Sequence, residues 1–145
     1  MAEKAKRLTP TPETLRELFL KSGNLCAFPG CSELMMNAEG EFVGQLCHIE
    51  AAEEGGERFN PKMTNEETRA AANLMLMCYP HHVKTNDVTA HTVERLQKFK
   101  ADHERRFSDP QYAMLEKLND WTTVDQPTVV QNLRRMCRSA GLERF

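Results

Sequence analysis

Apolar positions recur at helical spacing early in the chain, where Leu15, Leu18 and Phe19 share one face between Thr11 and Gly23. Thr11 stands where an N-cap is needed, Pro12 suits the first turn, and Gly23 suits the stop. Residues 25–47 then break into short pieces divided by Pro29-Gly30 and Glu39-Gly40-Glu41. That pattern predicts two short antiparallel strands, with an extended piece at residues 41–46. Residues 51–62 carry Gly55-Gly56 and Asn60-Pro61 without an apolar period, as a loop does. Thr64, Asn65, Glu66 and Glu67 have capping-box spacing and predict a short helix running to about Ala72.

Beyond Asn73, the run Leu74, Met75, Leu76, Met77 fits a buried strand or turn, and a helix is expected to begin around Cys78. Residues 92–107 are helical by period, with Val93, Leu96 and Phe99 as the buried stripe and Glu94/Lys98 and Asp102/Arg106 as i,i+4 pairs. His91 and His103 stand among charges there, which favours solvated side chains. Asp109-Pro110 opens a further helix carrying Met114, Leu115 and Leu118, and residues 119–127 read as a linker. A last helix starts at the Thr128 capping box, with Val130, Leu133, Cys137 and Ala140 as its stripe, so Cys137 is assigned to packing. The division expected is residues 1–108 followed by a helical extension, 109–145, whose apolar and arginine-bearing surface suits a partner protein or a second copy.

The 145 residues suffice for one core. A formal charge of −2 is unlike that of a chain gripping nucleic acid unaided through many phosphates, so any such activity calls for a partner. No apolar run approaches a membrane span, and the charged start lacks the apolar stretch of a signal peptide, so a cytoplasmic protein without membrane contact is expected.

Five cysteines in a reducing compartment point to metal before disulfides. Cys26 and Cys31 flank a Pro-Gly turn, and Cys78 and His81 flank a second proline-bearing turn. Two such knuckles make one tetrahedral Cys3His zinc site, and a closed set of four leaves no open position, so this zinc is structural.

The remaining chemistry lies in Cys47, His48, Ile49, then Gly55-Gly56, then Asn73 through Cys78, then His81 and His82. This order resembles the HNH endonuclease family, a ββα-metal fold commonly held by zinc, and the flanking helices resemble those of bacterial antiphage-defence effectors of that family. The resemblance implies an α+β fold in which a small ββα-metal core with a zinc site is flanked by N-terminal and C-terminal helices. It implies a metal-dependent endonuclease acting on DNA, with His48 as general base, Asn73 orienting the loop that carries it, and His82 holding a catalytic divalent metal such as Mg2+ or Mn2+. Histidine suits the base because its unperturbed pKa, about 6.5, lies near neutrality. Asn86, four residues beyond His82 and so on the same helical face, is a further metal-ligand candidate.

Many HNH sequences carry Asp directly before the base, where this chain has Cys47. Cys47 is either an ionised ligand for a softer metal or a packing residue, and Glu50 is a substitute ligand. The partners implied are DNA, a regulatory or ATPase/sensor protein, and a homo-oligomer. The competing reading is a catalytically inactive zinc-stabilised module that binds nucleic acid or docks a protein.

Overall fold

Helix α1, Pro12–Ser22, begins where the Thr11 side chain accepts a hydrogen bond from the Thr14 amide at 3.2 Å. It ends on Gly23, whose φ of 59° is left-handed and whose missing Cβ leaves room for the Phe107 ring. The computed structural model describes residues 3–108 and Arg135. The chain divides into two units between Ser108 and Asp109, and the elements here belong to the first. The expected helices and linker beyond Asp109, and the packing role of Cys137, lie outside the described residues.

The sheet has two antiparallel strands, β1 (Gln45–His48) and β2 (Leu74–Met77), in the register Gln45↔Met77 through His48↔Leu74. This corrects the expected strand pair within residues 25–47, where only the isolated bridges Leu25↔Leu34 and Met36↔Phe42 form. The reason is hydrogen-bond supply. The Met35 carbonyl takes both the Val43 and Gly44 amides, and Asn37 Oδ1 takes those of Glu39 and Glu41, so turns consume the donors a ladder would need. All four residues of β2 are buried, as its unbroken apolar run requires.

Between the strands, the capping box closes as expected: Thr64 Oγ1 accepts from the Glu67 amide at 3.1 Å and Glu67 Oε2 from the Thr64 amide at 2.7 Å. The helix it starts, α2 (Asn65–Thr68), is shorter than expected and gives way to a 3-10 turn, Ala71–Asn73. The Asn73 side chain takes the Thr68 carbonyl at 2.8 Å, which removes the acceptor the next helical turn would use. Helix α3, Tyr79–Lys84, follows β2 directly, with Cys78 at its N-cap position.

Helix α4, Val93–Ser108, packs on α1, which also meets β2. Leu96 is fully buried, with Val93 and Phe99 against the same core. Lys98 pairs with Asp102 at 2.7 Å rather than with Glu94. Both solvated histidine expectations are corrected: His103 is 7% exposed and His91 4%. His103 continues the stripe of Leu96 and Phe99 at helical spacing, and its Nε2 lies 2.8 Å from the Ser22 carbonyl at the end of α1. His91 precedes α4, with its ring centroid 5.9 Å from that of Phe28.

Burial holds the His103 pKa below its ordinary 6.5, with the Ser22 hydrogen bond acting the other way, and burial shifts His91 in the same direction. The unfolded chain then binds protons more readily than the folded one below about pH 6.5, so stability is whole above that value and falls as pH drops toward the folded pKa. His103→Gln is expected to flatten, without abolishing, the loss of stability between about pH 7.5 and about pH 5.5, read by denaturant titration.

Candidate functional site

Two chemically distinct centres lie on either side of α3. In the first, Cys26, Cys31, Cys78 and His81 bring their ligand atoms within 4.8 Å of one another, close enough to hold one metal ion. Cys31 Sγ and Cys78 Sγ are 3.9 Å apart, Cys26 Sγ and His81 Nδ1 3.6 Å, and Cys78 Sγ and His81 Nδ1 3.1 Å. A tetrahedron with Zn–S bonds of about 2.3 Å has S···S edges of about 3.8 Å, so the set is consistent with zinc.

The local chain explains the arrangement. Ala27 donates its amide to the Leu76 carbonyl at 2.9 Å, laying the first knuckle along β2, whose end carries Cys78. The amides of Phe28 and Cys78 point at Cys26 Sγ from 3.5 and 3.3 Å. Burial nevertheless pushes the Cys26 thiol up to about 12, and a bound cation is the charge that would favour the thiolate. The His81 ring stacks on Phe28 at 4.0 Å between centroids, and Phe28 is wedged edge-on against Phe99. Packing thus sets the ring orientation.

The second centre is a cavity of about 440 Å³ lined by His48, His82, Cys47, Asn86, Arg7 and Arg58, with Glu53, Glu54 and Glu57 on its loop side. It brings together four of the six residues assigned from sequence to catalysis or to a second metal, all but Glu50 and Asn73. His48, the last residue of β1, is half-buried and its Nε2 is enclosed without a hydrogen-bond partner. Burial, reinforced by the charge of Arg7, holds its pKa below 6.5. At neutral pH it is therefore a neutral imidazole, the form a general base requires.

His82 points its Nδ1 at Cys47 Sγ, 3.2 Å away. Burial pushes the Cys47 thiol up to about 12, so this sulfur is protonated and partners a ring. Asn86 lines the cavity beside His82, although not as a helical neighbour: α3 stops at Lys84 and Thr85 is its C-cap. The Glu50 carboxylate accepts from Asn60 Nδ2 at 3.1 Å and is not part of the cavity wall.

Asn73, the last of the six, stands behind the wall. Its Oδ1 accepts from the Glu50 amide at 2.9 Å, and its Nδ2 donates to the Glu50 and Thr68 carbonyls at 2.9 and 2.8 Å. The amide thus brackets both backbone groups of Glu50, two residues beyond His48. Sequence reasoning missed Arg58, which sits at φ 58° and donates to the carbonyls of Ile49 and Thr85, both at 2.7 Å, and to that of His91 at 3.3 Å. Its one signal was a basic residue two positions beyond Gly55-Gly56. Arg7 was also missed, being in a segment with no pattern.

The chain matches no protein-family model, and a search of the curated proteins gives no match. Among the described residues, no helix is long and apolar enough to cross a membrane.

Asn73→Ala would leave the Glu50 amide and two carbonyls without partners. A loss of roughly 2–4 kcal/mol in folding free energy is expected from denaturant titration, at about 1 kcal/mol or more per orphaned group. Asn73→Asp, which keeps the acceptor and loses both donors, should fall in between.

Proposed function

We propose that this chain is a zinc-stabilised HNH-type endonuclease that hydrolyses DNA phosphodiester bonds, with His48 as general base. The observation that carries this reading is the convergence of His48, His82 and Asn86 on one polar cavity, separate from a complete four-donor metal cluster. The order β1, β2, α3, with Asn73 bracing the exit of β1, also supports a ββα core. Cys26, Cys31, Cys78 and His81 hold Zn2+ as a structural ion.

His48 takes the proton of the attacking water, and its low pKa keeps it ready to do so at neutral pH. Asn73 holds the loop following His48 through the Glu50 backbone. His82 and Asn86 would hold a divalent cation such as Mg2+ or Mn2+, which supplies positive charge for the phosphate and the leaving oxygen. For that, the His82 tautomer must be Nδ1–H, donating to Cys47, which leaves Nε2 with its lone pair. Cys47 is thus read as the partner of the ring rather than as a ligand. The resemblance to antiphage effectors and the charge of −2 favour an effector acting with a sensor or ATPase partner.

A second reading, a catalytically inactive nucleic-acid-binding or docking module, is favoured by one observation: a protonated thiol stands where an acidic ligand would strengthen metal capture.

Elemental analysis is expected to find about one zinc per chain, and Cys78→Ser to lose it with a large drop in melting temperature. Plasmid cleavage across Mg2+, Mn2+, Ni2+ and Zn2+ tests the activity. His48→Ala should lower cleavage by about 100-fold or more while keeping zinc and melting temperature, and added Mn2+ should not restore it. His82→Ala should be partly restored by Mn2+. Wild-type cleavage by His48→Ala would remove the base assignment, and no cleavage by the wild type in any metal would favour the inactive module.

A further inference from the structure

The segment before α1 has no secondary structure, yet it is pinned to α2. Asn65, buried, accepts from the Lys6 amide through Oδ1 at 2.9 Å and donates through Nδ2 to the Lys4 carbonyl at 3.0 Å, while its own amide reaches Glu3 Oε2 at 3.1 Å. Arg69 adds a bond to the Thr9 carbonyl at 2.9 Å. The two attachments fall on either side of Arg7, so the strap delivers Arg7 to the rim of the cavity that holds His48 and His82.

The cavity contains two guanidinium groups and three carboxylates, and the guanidiniums are not equivalent. Arg58 is committed to the carbonyls of Ile49, Thr85 and His91. Arg7 is exposed and has no hydrogen-bond or ion-pair partner among the described residues, and its charge is felt at His48. Glu53, Glu54 and Glu57 would repel an incoming phosphodiester, so the uncommitted cation on the rim decides where the backbone can enter.

We infer that Arg7, held out by the Asn65 strap, is the phosphate-contacting residue that seats the nucleic-acid backbone against the His48 cavity. This rests on the nuclease reading for the identity of the ligand, and its test requires no turnover. Guanidinium is the fitting group, since its fork pairs with two phosphate oxygens at once.

The test measures binding of a short fluorescent DNA duplex to the full chain carrying His48→Ala, with and without Arg7→Ala, over a range of salt. Removing Arg7 should weaken binding by about tenfold and lower the slope of log affinity against log salt by about one, as for a lost phosphate contact. Arg7→Lys should keep the slope and lose part of the affinity. Asn65→Ala, with zinc content confirming the fold, should lower affinity in the same direction by freeing the strap. Unchanged affinity or unchanged salt slope in Arg7→Ala overturns the inference, as does an absence of duplex binding with Arg7 intact. A wild-type chain that binds through Arg7 but cuts nothing leaves the inference standing and removes the nuclease reading instead.

Discussion

The register between β1 and β2 governs where the chemistry falls. His48 opposite Leu74 puts the end of one strand beside Asn73, and Gln45 opposite Met77 sets the other end next to Cys78. A slip of one residue would turn Cys47 outward and His48 inward, and would separate Asn73 from the Glu50 backbone it brackets. Two strands form a weak sheet alone, so the register needs outside support. It comes from the first knuckle through Ala27, from the Asn73 amide, and from the buried side chains of β2 against α1.

The buried polar groups hold loops that have little apolar content of their own. Residues 49–64 pack few large side chains, and three charge-assisted bonds from Arg58 to carbonyls on three separate segments replace that packing. Such a bond is worth more than a neutral one, and its loss would leave several carbonyls unsatisfied together. Burial lowers the Arg58 pKa from its ordinary value, yet guanidinium remains charged throughout the physiological range.

Local signals were the ones legible in the sequence. Thr11, Gly23 and the Thr64 box each mark a boundary by bonding within a turn, and the two knuckles place their donors within a few residues of each other. The partner of Gln45–His48 was not legible, because alternation identifies a strand and not the strand it joins. His103 was misjudged because a stripe read only from apolar residues skips an imidazole whose nitrogen caps a neighbouring helix. Arg58 and Asn65 act through backbone groups distant in sequence, and side-chain type alone does not forecast that. His48 and His82 were assigned from a resemblance, Cys47 from its departure from that pattern and Asn86 from helical spacing, and their meeting at one cavity depends on long-range pairing that no local pattern contains.

His81 and His82 are consecutive, yet one faces the four-donor cluster and the other the polar cavity. Adjacent positions on a helix are about 1.5 Å apart along the axis and diverge by about 100° around it, so α3 carries both rings on one rigid backbone segment. Each ring is also tethered to a sulfur, His81 to Cys78 and His82 to Cys47. Any displacement of the α3 backbone would therefore move both rings together. The double histidine makes this six-residue helix the wall that the cluster and the cavity share, so one turn of backbone sets the geometry of both.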